Sequence, residues 1–193
     1  MKIDIILAGV GGQGILSIAA TIGLAAVEAG LFLKQAEVHG MSQRGGDVQS
    51  HLRLSDKEVA SDLIPYGKAD LIISVEPMEG LRYLPYLKKD GWLITNTKPF
   101  INISNYPDQN KLMAEIKALP KHIALDADSM AVELGSIKAA NMVVLGAATP
   151  FLDIDFDKLE NAITTLFGRK GEDIVNLNMQ ALRTGRKYAQ ENL

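Results

Sequence analysis

The sequence predicts a single α/β domain spanning residues 1–193, with a three-layer arrangement in which helices flank a mainly parallel sheet. Three observations support this fold class. An uncharged apolar run near the N-terminus passes through a glycine-rich turn into a second apolar run. Strand-like and helical segments then alternate through the middle of the chain. From Asp128 onward the pattern is helical, and no linker, repeat or low-complexity stretch divides the chain.

Composition excludes several classes of protein. Of the 193 residues, 47% are apolar and 22% are charged, which is typical of a globular chain and argues against disorder. The net charge is −3 and no basic arm is present, so we expect no nucleic-acid partner. The chain has no cysteine, which removes disulfides, cysteine zinc sites, thiol nucleophiles and cysteine ligands for iron–sulfur clusters.

The first elements form a β-α-β unit. A strand covered on both faces is predicted at Lys2 to Ala8, a helix from about Gln13 to Ala29, and a second strand from Leu31 to Val38. The uncharged segment 5–27 is long enough to span a membrane, but the glycine run interrupts it and Asp4 precedes it. We therefore expect a cytoplasmic protein with no membrane segment.

The remaining elements follow from periodicity and from turn residues. Polar and apolar residues alternate from Asp47 to Leu54, which predicts a half-exposed strand in a hairpin after the second strand, turning at Ser55 to Lys57. Further along, we predict a strand at Asp70 to Val75, a helix opened by Pro77, a turn at Asp90-Gly91, a strand at Trp92 to Thr97, a polar loop at Pro99 to Asn110, a helix through Leu112, Ile116 and Leu119, and a strand at His122 to Leu125. Breaks between the last helices are expected at Gly135, Gly146, Gly168 and Gly171, and the final helix is expected from about Glu172.

The first candidate site is a Rossmann-like glycine turn directly after strand one. The stretch Gly9-Val10-Gly11-Gly12-Gln13-Gly14 matches the G-x-G-x-x-G pattern between a strand and a helix. The helix N-terminus offers N–H groups to a phosphate, so Gly9, Gly11, Gly12, Gln13 and Gly14 are candidate cofactor-binding residues. With Glu37 on a ribose hydroxyl, the pattern also suits a stand-alone NAD(P)-dependent oxidoreductase or a nucleotide-binding regulatory module. A turn kept only for tight strand-to-helix packing is the structural alternative.

The second candidate site is the loop Glu37 to Gly46. Arg44 can clamp an anionic group, Ser42 and Gln43 can orient it, and Gly45 lets the backbone approach closely. His39 is a candidate for proton transfer. The structural alternative is a polar loop whose side chains bond to one another. If strands one and two are neighbours, both loops lie at the carboxyl edge of the sheet, where open α/β folds bind ligands.

Three further segments have a possible structural or functional role. Glu76 and Glu79 follow a buried strand and are expected either to rim the site or to favour the dipole of the next helix. Asp128 or Ser129 is expected to cap a helix. The stretch from Asn141 to Ala148 predicts a closely packed core helix or a subunit contact.

Three stretches carry a resemblance to a known family. GVGGQGIL (Gly9 to Leu16), EVHGMSQRGGDVQSHLR (Glu37 to Arg53) and NMVVLGA (Asn141 to Ala147) resemble the gamma-type subunit or domain of 2-oxoacid:ferredoxin oxidoreductases. The resemblance extends from Ile3 to the terminal helix. Within the family, the chain is most similar to the smaller subunits of the indolepyruvate-type enzymes.

The resemblance implies one part of a multi-subunit enzyme. Such enzymes decarboxylate an arylpyruvate, pass electrons to ferredoxin and form an aryl-acetyl-CoA, using thiamine diphosphate with Mg²⁺ and 4Fe–4S clusters. With no cysteine and no G-D-G…N pattern, this chain is expected to hold none of these groups alone. They would lie on a larger alpha subunit, and this chain would be inactive without it. The two loops are expected to face a shared site for CoA, with Arg44 on an anionic group.

Overall fold

The computed structural model describes residues 1–39, 45–101 and 103–193, and its centre is a six-stranded sheet. The strands are β1 (Lys2–Val10), β2 (Phe32–His39), β3 (Asp47–Ser55), β4 (Ala69–Ser74), β5 (Leu87–Asn96) and β6 (His122–Leu125). The helices are α1 (Ile15–Glu28), α2 (Pro77–Arg82), α3 (Gln109–Ala118), α4 (Ala127–Glu133), α5 (Ala140–Ala148), α6 (Phe156–Phe167) and α7 (Glu172–Glu191). Short 3₁₀ turns occur at Leu84–Tyr86, Ile137–Ala139, Thr149–Phe151 and Gly168–Lys170.

The strand order is β2-β3-β1-β4-β5-β6, which confirms a mainly parallel sheet with one hairpin. The pairs β1/β4, β4/β5 and β5/β6 are parallel, whereas β3 runs antiparallel to both of its neighbours, β2 and β1. The condition that strands one and two are neighbours is not met, because β3 lies between them. The expected hairpin turn at Ser55 to Lys57 is wrong, because β3 pairs back onto β2, with Ser55 opposite Phe32 and Val48 opposite His39.

β3 is also more buried than its alternating sequence suggests. From Ser50 to Ser55 every residue is buried, because this strand is central and both of its faces are covered. The polar side chains of this buried stretch form hydrogen bonds with other parts of the chain. Arg53 binds Asp4 through two hydrogen bonds of 2.8 and 3.2 Å, and it donates to the carbonyls of Ser61 and Leu63.

His51 gives a second example on the same strand. Its Nδ1 accepts a hydrogen bond of 3.0 Å from the backbone N–H of Ile64, so the ring is held neutral with the proton on Nε2. Burial, assisted by the Arg53 charge, lowers the pKa of His51. The polar residues His51 and Arg53 of β3 therefore form buried contacts with the segment 56–68, which connects β3 to β4, and do not lie on an exposed face.

Helices cover both faces of the sheet, which gives the predicted three layers. On β1, Ile3, Ile5 and Leu7 point to a core that includes α1 and α4 to α7. The alternate residues Ile6 and Ala8 point to a smaller core. There they meet Ile72, Tyr83, Leu93 and Ile116, contributed by β4, β5 and the segments around α2 and α3. The period of two in β1 thus assigns successive side chains to opposite layers.

Two glycines predicted to interrupt the chain lie inside regular elements. Gly91 is within β5 at a register shift opposite Ala69 and Leu71, so Asp90-Gly91 is a strand irregularity and not a turn. A β-carbon at Gly91 would lie 2.6 Å from Leu87 Cδ1. Gly146 lies inside α5 and does not separate helices. Within the described ranges, no helix is long and apolar enough to cross a membrane.

Gly146 and Gly185 allow α5 and α7 to pack at very short distance. A β-carbon at Gly146 would overlap the carbonyl oxygen of Leu182, and one at Gly185 would overlap the carbonyl oxygen of Val143. Because the obstructing atoms are backbone, they cannot move aside by changing a rotamer. The terminal helix is therefore held against the core through a reciprocal glycine contact.

We predict that Gly185→Ala lowers the free energy of unfolding by about 3 kcal/mol, because the added methyl forces the two helices apart. Gly168→Ala is the matched control, since a β-carbon at Gly168 would have no atom within 4 Å and the φ there is −54°. Urea unfolding of both variants measures the difference. Equal stability of the two variants would contradict the close crossing.

Candidate functional site

The glycine turn joins β1 to α1 at the carboxyl edge of the sheet. Gly12 and Gly14 have φ angles of 102° and 81°, in the left-handed region that favours glycine. A β-carbon at Gly9 would overlap Val75 Cγ2 on the neighbouring β4 segment. The backbone geometry of the turn therefore requires glycine at these positions, and the same glycines leave the N-terminus of α1 open.

Side chains from two distant parts of the chain hold the turn in place. Gln13 Oε1 accepts a hydrogen bond of 2.8 Å from Val10 N–H, and its Nε2 donates to Val75 O at 3.5 Å. Asn141 Nδ2 donates to Gly14 O at 3.0 Å. Gln13 is a predicted cofactor-binding residue, and its side-chain amide forms hydrogen bonds with the backbone of Val10 and Val75. Asn141 links the start of α5 to the start of α1.

The second motif returns to the same edge. Gly11 N–H donates to Gly46 O at 2.9 Å, and Val10 is paired with Asp47 in the β1/β3 ladder. Gly45 has a φ of 77°. Ser42, Gln43 and Arg44 lie outside the described residues, as does the side chain of His39, whose backbone ends β2. β3 therefore brings the described end of the second motif, Gly45 and Gly46, to the glycine turn, although β1 and β2 are not adjacent.

A cavity of about 680 Å³ opens beside the glycine turn. Its wall combines the turn, the carboxyl ends of β4 and β5, the segment before α5, and the start of α7. The described lining residues are Gly12, Gln13, Gly14, Ser17, Val75, Asn96, Phe100, Asp128, Ser136, Ile137, Lys138, Ala139, Ala140, Asn141, Val144, Phe167, Lys170, Ile174, Leu177 and Asn178. Parts of the sequence that lie far apart thus meet in one concave surface.

The charges on this wall favour an anionic ligand. Lys138 and Lys170 are exposed cations on it, and Asp128 is its acidic side chain among the described residues. Asp128 Oδ1 accepts a hydrogen bond of 2.9 Å from Asn96 Nδ2. No side chain in the described residues caps the N-terminus of α1, so its N–H groups and helix dipole also attract negative charge.

Asn96 organises the ends of the parallel strands. Its Oδ1 accepts from Ala127 N–H at 3.1 Å, and its Nδ2 also donates to Val75 O at 3.4 Å. The cap of α4 is Asp126, not the expected Asp128 or Ser129, because Asp126 Oδ1 accepts from Ser129 N–H at 3.0 Å. Burial opposes ionisation of Asp126, but the hydrogen bonds from Ser129 and Lys98 lower its pKa.

Glu76 does not lie on the rim of the cavity. It is fully buried, and its Oε2 caps α2 by accepting from Glu79 N–H at 2.9 Å. Its Oε1 accepts from Phe100 N–H at 3.2 Å and from the hydroxyl of Tyr106. Burial, together with the Glu76 carboxylate, raises the pKa of Tyr106. Glu76 thus holds the loop after β5 in place.

Glu79 is likewise buried behind the site. Burial raises its pKa, although Arg82, whose Nε lies 2.8 Å from Glu79 Oε2, acts in the opposite direction. Nearby, the Tyr83 hydroxyl donates to Asp47 Oδ2 at 3.2 Å, and burial raises the pKa of Tyr83. Neither glutamate lines the cavity, so the helix-start interpretation of this segment agrees better with the geometry.

Several wall residues were missed by sequence reasoning. Asn96 follows a buried strand at its carboxyl end, which is a usable indication of a site. Nothing in the sequence pattern linked Lys138 to Lys170, because they lie 32 residues apart in separate helical connections. Only the tertiary fold places them on one wall.

The residues present do not suit iron–sulfur or metal groups. The sequence has no cysteine, and the described residues contain no group of three or more histidine or acidic side chains that could hold a metal ion. The cavity instead combines hydrogen-bond donors, cations and apolar walls. It suits an anionic organic ligand.

The sheet, the glycine turn and the cavity together define an open α/β fold with a ligand-sized cavity at the carboxyl edge of its parallel strands. A family model described as pyruvate ferredoxin/flavodoxin oxidoreductase matches residues 4–188. The chain belongs to that family, which confirms the resemblance drawn from its motifs.

Similar proteins include subunits of the same general length. The chain is 38% identical to the indolepyruvate oxidoreductase subunit IorB of Pyrococcus horikoshii, over 98% of this chain and 97% of the relative. It is 39% identical to the IorB subunit of Thermococcus kodakarensis, with the same coverage of each.

A solved structure shares the fold. The chain superposes on the 2-oxoglutarate:ferredoxin oxidoreductase of Magnetococcus marinus, solved with 2-oxoglutarate, coenzyme A and succinyl-CoA bound. The TM-score is 0.78 at 23% identity, and the match covers 98% of this chain but 31% of that one. This chain therefore corresponds to about a third of that longer polypeptide.

Family membership favours an oxidoreductase subunit over the stand-alone NAD(P) alternative. Strand order agrees with this. In a dinucleotide-binding unit, the acidic ribose ligand ends a strand next to β1. Here Glu37 lies on β2, one strand removed.

Proposed function

We propose that this chain is the cluster-free subunit of an indolepyruvate oxidoreductase, an enzyme that removes the carboxyl group of an arylpyruvate as CO₂, joins the remaining acyl group to CoA as aryl-acetyl-CoA, and passes the electrons released to ferredoxin. The observation that carries the proposal is the full-length identity of 38% and 39% to two IorB subunits. The hydrogen bond between Gly11 of the first motif and Gly46 of the second supports it, because it places the ends of both motifs at one edge of the sheet.

The proposal divides the chemistry between two chains. Because this chain lacks cysteine, the 4Fe–4S clusters belong to a larger alpha subunit, and that subunit also holds thiamine diphosphate and Mg²⁺. Thiamine diphosphate supplies the carbanion chemistry of decarboxylation. Ferredoxin receives electrons from that subunit. This chain binds and orients CoA and shields the reacting groups from water.

The cavity can hold the nucleotide end of CoA. The N-terminus of α1 at Gly14 and Ile15 suits the pyrophosphate, and Lys138 and Lys170 suit the remaining phosphate charge. Ile137 and Phe167 provide apolar surface for a planar base. Gly9, Gly11 and Gly12 keep the backbone close enough for this approach.

The second motif completes the shared site in this proposal. Arg44 binds an anionic group of CoA or of the 2-oxoacid, and Ser42 and Gln43 orient it. Gly45 allows the loop to turn toward the glycine turn, as its positive φ supports. His39 is a candidate for holding a proton at its imidazole near the reacting groups.

Reconstitution tests this function. The purified chain alone should show no oxidation of indolepyruvate. Addition of the cysteine-rich larger subunit should give CoA-dependent reduction of ferredoxin and formation of an aryl-acetyl-CoA. The measurement is ferredoxin reduction with and without CoA. Tight binding of NAD(P) by the isolated chain, with no activity in the reconstituted mixture, would contradict the proposal.

The cavity assignment predicts a selective kinetic defect in the assembled enzyme. Lys170→Ala should raise KM for CoA about tenfold, because one phosphate contact is lost, while KM for indolepyruvate stays unchanged. Arg169→Ala is the control, since Arg169 is an adjacent exposed cation that does not line the cavity. Equal KM changes for both variants would show general electrostatics and overturn the assignment.

A further inference from the structure

Asn178 is a nearly buried polar residue on the wall of the cavity. Its side chain is 7% exposed, and it lines the cavity from α7, beside Ile174 and Leu177. Its Nδ2 donates a hydrogen bond of 2.7 Å to the carbonyl of Ile174, one helical turn earlier. Because a carbonyl oxygen can only accept, this contact fixes the orientation of the amide, with Nδ2 toward the helix backbone.

The oxygen of the same amide has no protein partner. Within the part of the chain that the structure describes, Asn178 Oδ1 accepts no hydrogen bond, and it is not sealed from solvent. Since the residue is more than nine-tenths buried and lines the cavity, this oxygen is reached through the cavity. An acceptor that is desolvated on its other sides favours a ligand that brings a donor to it.

A carboxylate on the same wall also favours a donor. Asp128 Oδ1 accepts from Asn96 Nδ2, while its Oδ2 accepts no hydrogen bond from any described residue. A ligand made only of phosphate would be attracted by Lys138 and Lys170 but repelled by this carboxylate. The cavity therefore suits a ligand that combines anionic groups with hydrogen-bond donors.

Apolar side chains accompany the Asn178 amide. Ile174 and Leu177 precede it on α7, and Phe167 and Ile137 contribute further apolar surface to the cavity. A planar base packs its faces on such side chains while its edge forms hydrogen bonds. In CoA, the group that combines a flat ring with an edge donor is adenine, through its exocyclic amine. The amides of the pantetheine arm also donate, but they lie on a flexible chain and not on a ring.

We propose that Asn178 Oδ1 accepts a hydrogen bond from the exocyclic amine of the adenine of CoA, which makes Asn178 a specificity-determining residue for the base. This inference rests on the proposed function and deepens it, because it assigns the group that recognises the base. A base without the amine is rejected, since the buried oxygen then loses water and gains no donor. The lysine contacts to phosphate do not contribute to this selection, because they are the same for every base.

Binding of two ligands to the assembled two-subunit enzyme tests the assignment. The probes are CoA and a CoA analogue in which purine replaces adenine, so that hydrogen takes the place of the amine. For the wild type, we expect titration calorimetry to give a dissociation constant about tenfold higher for the purine analogue. In Asn178→Leu, which removes the acceptor at similar size, the two dissociation constants should agree within about twofold, because binding of CoA is weakened.

Asn176→Leu is the matched control, since Asn176 is exposed on the same helix and does not line the cavity. It should keep the preference for CoA. Asn178→Ala removes the acceptor without adding bulk, and it should lose the preference as Asn178→Leu does. A purely structural defect would weaken both ligands equally, so the ratio of the two dissociation constants separates recognition from stability.

The outcomes separate this inference from the proposed function. If the assembled enzyme binds CoA but the wild type binds the purine analogue equally well, the amine contact is wrong and the function stands. If both Asn178 variants keep the preference, the assignment is overturned. Loss of the preference in Asp128→Ala, with retention in both Asn178 variants, would give the amine to Asp128 and would also overturn it. If the assembled enzyme shows no CoA-dependent reduction of ferredoxin, the function itself fails.

Discussion

The pairing of β3 with both β2 and β1 is the constraint on which the site depends. β3 is antiparallel to each neighbour over nearly its whole length, so the start of β3 lies beside the end of β1. This register brings Gly46 opposite Gly11 and allows the hydrogen bond between the two motifs. A one-residue slip would also turn every buried side chain of β3 to the other face, so the register is strongly fixed.

The C-terminal half of the chain forms the rest of the site. Asn141 holds the glycine turn from α5, and α7 contributes Ile174 and Asn178 to the cavity wall. The crossing at Gly146 and Gly185 sets the position of α7 against α5. Packing in the core therefore determines where the cavity wall stands, far from the motifs that first indicate a ligand.

Elements with strong local patterns could be predicted from the sequence. The β6 bounds, the helix start at Pro77 and the final helix agree with the structure, because periodicity and proline chemistry act locally. The family of the protein could also be recognised from the two glycine-rich motifs. The position of β3 was not, since an inserted antiparallel strand depends on pairing between distant segments.

The meeting of the two motifs at one sheet edge could be anticipated from the sequence, but its cause could not. Gly11 of the glycine turn bonds to Gly46 at the end of the second motif because β3 runs beside β1, and not because strands one and two are adjacent. Lys138, Lys170 and Asn96 could not be grouped from sequence, because only tertiary packing places them on one wall. Glu76 resembled a rim residue by its position after β4, but burial makes it the anchor of the following loop.

A structure of the assembled two-subunit enzyme with CoA bound would show directly whether this cavity holds the coenzyme. We expect CoA phosphate oxygens within hydrogen-bond distance of the N–H groups at the start of α1, in the cavity shared with Lys138 and Lys170. CoA held entirely by the larger subunit, with this cavity facing solvent, would contradict it.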